Sequence, residues 1–262
     1  MVKPVFPLPI LPKRPYIRPD KPHGLGAKAL TVAASLRCKE GLVLCTDSSI
    51  TDWTDKYDEP KILTRASTAH RAFATTGAGY WDYVKMANEL LIPRLLRNIA
   101  VENWDACKIV RDTVTEIYRN QIAAYPGPEK PHISMLVGVS ERENGLYVIK
   151  ATDTAVHLGR DFESIGTGAA LARYISSKFF LHELTIHQSV ALAGYIVHEA
   201  KRYIQDCGGN TYIVALTDEG HNSVSYSAVR SLDKWYEGLS SMPNLGKLPR
   251  KLQDVLEADV TT

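Results

Sequence analysis

By residue type and spacing, Thr31 and Asp47 are the pair best suited to chemistry. A hydroxyl beside a carboxylate is an arrangement in which nucleophilic attack can be organised. The same pair also fits a plainer role as polar strand ends. What brings them together is the stretch from Leu30 to Asp47, which reads as two short strands, Ala29–Arg37 and Gly41–Thr46. A tight Cys38-Lys39-Glu40-Gly41 connection joins them, with Gly41 expected to supply a positive φ. Val32, Leu36, Leu42, Val43 and Leu44 are residue types that suit a half-buried pleated surface. A hairpin of this kind sets Thr31, at the start of one strand, near Asp47, at the end of the other.

The elements around this hairpin follow from pattern. After the polar, turn-rich stretch Asp52–Glu59 come Pro60–Thr64 and a strand His70–Thr75 that runs into Thr76-Gly77-Ala78-Gly79. Apolar residues at near-helical spacing predict a helix over residues 80–99, with Pro93 inside it expected to kink or break it. A second helix is expected over Trp104–Ala123, ended by Tyr125-Pro126-Gly127-Pro128. Strands return at Ile133–Val139 and Gly145–Lys150 across a charged turn at Glu141–Asn144, then at Ala155–Leu158 and Phe162–Ile165. Gly166-Thr167-Gly168 opens a third helix, Ala169–Phe180. A fourth, Ile186–Asp206, carries a strong apolar stripe and stops at Cys207-Gly208-Gly209. Tyr212–Leu216 and Ser223–Ala228 read as a last hairpin, and a short amphipathic helix is expected near Leu248–Leu256. Strands and paired helices in this order predict an α+β fold, with two antiparallel sheets stacked face to face and a helical layer outside each.

Composition bounds the rest. With 262 residues, 45% hydrophobic and 23% charged, the chain can bury a sizeable core. A net charge of +2 gives no reason to expect nucleic acid or an anionic membrane as partner. Four cysteines, Cys38, Cys45, Cys107 and Cys207, lack metal-ligand spacing and fit a reduced, cytoplasmic protein. No stretch approaches the roughly twenty apolar residues of a membrane span. The proline-rich, basic residues 1–28 read as a leader, either a linker lying across a neighbouring subunit or a propeptide. A main domain over residues 29–230 and a C-terminal extension over 231–262 complete the expected division.

Several motifs now align in order. Leu36–Ser48, with a glycine after the turn and Asp47-Ser48 ending the second strand, resembles the first hairpin of proteasome β-like subunits of the N-terminal nucleophile hydrolase superfamily. Glu59-Pro60-Lys61-Ile62 resembles the segment carrying that family's catalytic lysine. Ala74–Gly79 resembles its strand-to-helix junction, and Ile165–Ala169 the Gly-Ser-Gly-Ser turn that opens its third helix. The resemblance spans about residues 29–228 and implies a four-layer αββα sandwich. It implies a threonine-type endopeptidase in which Thr31, freed as an N-terminus, attacks a peptide carbonyl with its own α-amine as base. Lys61 would keep the field positive, Asp47 would hold Lys61 charged, and the Gly77 amide would donate to the oxyanion. Thr167 stands where the family has a supporting serine, and Asp206 is the candidate for its late aspartate. Thr75 and Gly79 map near the specificity pocket.

The family assembles into rings, so the resemblance implies a homo-oligomeric ring acting on peptide or unfolded protein, with an unfoldase or regulatory ring as partner. No cofactor and no metal is expected. Two departures stand out, of which the first favours a non-catalytic reading and the second is compatible with activity. Leu30 precedes Thr31 where self-processing members have glycine, which makes the strained backbone for self-cleavage costlier. Val32 and Ala33 replace the hydroxyl residues often found after the nucleophile. The alternatives are a non-catalytic structural subunit like the family's α-type members, or an amidohydrolase acting on a small amide.

Overall fold

A computed structural model describes residues 28–29, 31–52, 55–67, 71–98, 105–126, 129–141, 145–180, 183–238 and 250–260. The expected leader up to residue 27 lies outside these, as do Leu30, the turn residues 142–144 and the Gly127-Pro128 pair. Among the described residues the chain forms thirteen strands and six α-helices. The strands are β1 (Lys28–Ala29), β2 (Ala33–Arg37), β3 (Leu42–Asp47), β4 (Ser49–Asp52), β5 (Asp55–Asp58), β6 (Leu63–Ser67) and β7 (Arg71–Tyr80), then β8 (Ile133–Glu141), β9 (Gly145–Thr152), β10 (Ala155–Leu158), β11 (Phe162–Ile165), β12 (Thr211–Thr217) and β13 (Gly220–Ser223). The helices are α1 (Trp81–Asn98), α2 (Ala106–Ile117), α3 (Ala169–Phe179), α4 (Ile186–Tyr203), α5 (Tyr226–Glu237) and α6 (Arg250–Val260).

All strand pairs are antiparallel. The larger sheet has the order β10-β9-β8-β7-β1-β4-β5, with β6 also on β7, and the smaller has the order β11-β2-β3-β12-β13. Helices α1 and α2 cover one face of the larger sheet through Leu91, Leu95, Val110 and Val114, which meet Phe73, Met135 and Val137. Helices α3 to α6 cover the smaller sheet through Ile175, Val190, Ile196, Leu232 and Leu256. A third core contains Leu42, Leu44 and Leu216 of the smaller sheet together with Ala72, Ala74, Leu136 and Val148 of the larger. The α+β class and the antiparallel sheets therefore stand.

The chain departs from its sequence pattern in several places. The single strand expected over Ala29–Arg37 is two strands in different sheets, β1 and β2, and the chain crosses between the sheets at Thr31. The polar stretch Asp52–Glu59 contains β5, which is exposed along its length and so shows no apolar alternation. Pro93 does not end the helix, since α1 runs through it. Both Pro93 and Glu89, whose carbonyl loses its helical partner there, lie on the exposed flank. Residues Tyr226–Ala228, expected in a strand, begin helix α5 under a Ser225 cap. Gly41 does not adopt a positive φ. Its hydrogen is needed for space, since a Cβ would lie 2.5 Å from the Leu216 carbonyl oxygen.

Gly138 on β8 sits where the two sheets approach. A Cβ there would meet Leu44 at 2.7 Å and Leu42 and Leu216 at 2.9 Å. Side chains of the smaller sheet thus fill space that the larger sheet leaves open. Gly138→Val is expected to lower unfolding free energy by about 1–3 kcal/mol, the usual cost of overpacking. Urea denaturation of the variant beside wild type measures it.

Candidate functional site

Thr31 lies at the crossing between the sheets, and its side chain is fully buried. Its hydroxyl donates to Asp47 Oδ1. It accepts from Lys61 Nζ at 2.9 Å, and Lys61 Nζ also reaches Asp47 Oδ1 at 3.2 Å. Thr31, Asp47 and Lys61 therefore close a three-membered polar cluster with no solvent contact. The hairpin β2–β3 brings the first two together, because Ala33 pairs with Thr46 and so sets Thr31 beyond the end of the ladder, against Asp47. Lys61 arrives from the segment between β5 and β6.

Asp47 holds more than its lysine. Its Oδ1 also accepts from the Val32 amide at 3.2 Å, and its Oδ2 from the Gly208 amide at 3.0 Å. A buried carboxylate is tolerated when charge-assisted bonds satisfy its oxygens in this way. Burial pushes the Lys61 ammonium down from its ordinary range, and the adjacent Asp47 charge pulls it back up. Cys207 stands beside these groups, with burial pushing its thiol up to about 12 and the Asp47 charge adding to the rise. It is a neutral thiol in this setting, not a thiolate.

The backbone of Thr31 is held from the other side. Its carbonyl accepts from the Gly168 amide at 3.1 Å and from the Thr167 hydroxyl at 3.4 Å. The turn can come this close because Gly166 has φ +85° and presents no Cβ, which would collide with the Thr31 carbonyl oxygen. Thr167, expected from the resemblance to stand near Thr31, is there.

Gly77 lies on the same edge of β7 as the crossing. That edge pairs with β6 along Arg71–Thr75 and with β1 along Gly79–Tyr80, which puts Gly77 between the two. The described contacts of Thr31 do not include Gly77, nor do they include Asp206. The neighbours of Asp206 in the chain, Cys207 and Gly208, are the ones that reach the cluster. Thr75 is turned to Asn88, to which its hydroxyl donates at 2.8 Å. Sequence reasoning missed Gly208, Gly168 and Cys207. The Cys207-Gly208-Gly209 run was legible as a helix stop, and a glycine pair after a helix also signals an approach to backbone that side chains would block.

The slot before Thr31 is filled. Lys28 of β1 pairs with Thr51 of β4 on one side and Tyr80 of β7 on the other, and Ala29 pairs with Gly79. Two residues just upstream of Thr31 thus bridge the β4–β5 hairpin to the rest of the larger sheet.

Solved structures with this fold include Anbu proteins. Anbu from Yersinia bercovieri, described as an ancestral beta-subunit, superposes with TM-score 0.68 at 17% identity over 84% of this chain and 98% of that one. A Gly-1 mutant of Anbu from Hyphomicrobium sp. strain MC1 gives TM-score 0.66 at 15% identity over 79% and 94%. Anbu from Pseudomonas aeruginosa, described as a helical assembly of the Anbu complex, gives 0.64 at 16% over 83% and 100%. No protein-family model matches the chain, and no curated protein matches it. At these identities the likeness establishes the fold. It corrects the resemblance read from the sequence: the chain takes the proteasome-like but distinct Anbu fold, and the assignment to proteasome β-like subunits of the N-terminal nucleophile hydrolases is not supported. The motifs that suggested it are short. None of the described helices is long and apolar enough to cross a membrane.

The cluster makes an asymmetric prediction. Asp47→Asn leaves the Lys61 ammonium buried without its counter-charge and should cost about 3–5 kcal/mol. Lys61→Met should cost less, because Asp47 keeps the Val32 and Gly208 amides. The double variant should be more stable than Asp47→Asn alone, as a double-mutant cycle in urea will show.

Proposed function

We propose that this chain is a self-assembling subunit of a proteasome-related particle, hydrolytically silent because its own leader masks Thr31. The observation that carries this reading is the seating of Lys28–Ala29 between β4 and β7. In the full-length chain the nitrogen of Thr31 is an amide, so it offers no base to its hydroxyl. Removing the leader would also take away the strand that ties β4–β5 to the larger sheet. Leu30 agrees, since it disfavours the backbone that self-cleavage needs. Assembly is supported by the description of the Pseudomonas aeruginosa protein as a helical assembly. The arrangement proposed for each subunit is the four-layer αββα stack, which the separate outer and inner cores support.

A second reading is favoured by one specific observation, the closed Thr31–Asp47–Lys61 cluster. It is a threonine-type amide hydrolase that becomes active when the Leu30–Thr31 bond is opened. The freed α-amine, with an ordinary pKa of about 7.7–8.0, would take the hydroxyl proton as Thr31 attacks the carbonyl. Lys61, held by Asp47, would stabilise the developing alkoxide, and Gly77 would donate its amide to the oxyanion. Thr167 would fix the Thr31 backbone, and Asp206, whose chain neighbours Cys207 and Gly208 reach the cluster, is the candidate for a supporting aspartate. Peptides would enter the slot that β1 fills, by strand addition.

Intact mass, N-terminal sequencing and native mass of the purified protein, beside Thr31→Ala, separate the two. The proposal expects an assembled particle of uncut chains in both proteins and no hydrolysis of fluorogenic peptides. A wild-type chain beginning at Thr31, with the variant retaining its leader, would replace it with the second reading.

A further inference from the structure

Helices α4 and α5 lie antiparallel on the outside of the smaller sheet, as two contacts fix: His198 with Asp233, and Tyr236 with the Ala191 carbonyl. Beside these contacts opens a cavity of about 330 Å³. Helix α4 lines it with the consecutive Lys201 and Arg202, and helix α5 with Arg230 and Lys234, whose i,i+4 spacing puts them on one face. Two carboxylates also line it, Asp233 and Glu237. Asp233 bonds His198 at 3.2 Å and offsets part of the charge of Lys201 and Arg230, leaving the four cations in excess of the two carboxylates.

The cations are unevenly satisfied. Arg202 leans on Glu199 at 3.5 Å and on the Tyr203 ring, and Arg230 lies over the Tyr226 ring. Lys201 is the most buried of the four and makes no ion pair among the described residues; Asp233, Asp47 and Asp58 act on it only at longer range. Four cations against two carboxylates leave the concavity with an excess of positive charge, which a bound anion would offset. Arginine forks and lysine point charges are the groups that recognise phosphate oxygens. The volume is at the lower end of small-ligand sites, roughly 300–1,000 Å³.

We propose that the groove between α4 and α5 is a binding site for a small phosphate-bearing anion, held by Lys201, Arg202 and Arg230. The site is separate from the Thr31 cluster and stands whichever reading of that cluster holds. Titration calorimetry of the full chain with sodium pyrophosphate at low ionic strength tests it. The expected result is one saturable site per chain, with affinity about tenfold weaker in Lys201→Met and in Arg230→Gln, each variant losing a charge-assisted contact. Lys178→Gln, on the exposed face of α3, should leave the affinity unchanged. Arg230 is exposed, so its variant carries the test should Lys201→Met fail to fold. No saturable binding, or equal weakening by Lys178→Gln, would overturn the site in favour of diffuse surface attraction. Tighter, groove-dependent binding of an oligoglutamate peptide would also overturn it and assign the groove to an acidic protein segment.

Discussion

The Asp47 carboxylate is the constraint on which the rest depends. It accepts the Thr31 hydroxyl, the Lys61 ammonium, and the amides of Val32 and Gly208. Those four donors come from the start of β2, the approach to β6 and the segment after α4. One fully buried anion thus ties together parts of the chain that are far apart in sequence and belong to different layers. Its two oxygens are satisfied without water, which is what makes the burial tolerable. The hairpin register brings Thr31 to this carboxylate, and the bond between them holds it there.

Everything upstream of Thr31 meets the consequence. The chain arrives as β1 in the larger sheet, passes through the crossing, and leaves as β2 in the smaller one. The slot between β4 and β7 accepts a single strand, and in the full-length chain the leader supplies it. A substrate segment adding to the same two edges would compete with residues 28–29 for the same backbone bonds. Structural continuity and catalytic access are therefore opposed at this point. The same geometry supports a silent subunit with the leader in place and a hydrolase with the leader gone.

Much of this was legible in the sequence, for physical reasons that can be named. The β2–β3 hairpin and the stripe of α4 carry strong periodicity, and the Thr31–Asp47 juxtaposition follows from the hairpin register alone. Thr167 was found because its turn has distinctive glycines. The break at Thr31 was not legible, since Ala29 to Ala34 contains no glycine, proline or charge and bears no mark of a change of sheet. The exposed β5 lacked alternation, because burial on neither face leaves a strand no hydrophobic signature. Helix α5 was readable in principle: Ala228, Val229, Leu232 and Tyr236 recur at helical spacing behind a serine cap. Val224 and the hairpin before it extended a strand reading too far. Gly208 acts through its backbone amide, which no side-chain pattern announces.

The central claim is that Thr31 is an internal residue held under its own leader. An α′,β′-epoxyketone tests it most directly, because such a group closes a ring with both the hydroxyl and the amine of an N-terminal threonine. The measurement is the intact mass of the assembled protein before and after incubation with a peptide epoxyketone. The account predicts the mass of the full chain with no adduct. An adduct on a chain beginning at Thr31 would contradict it.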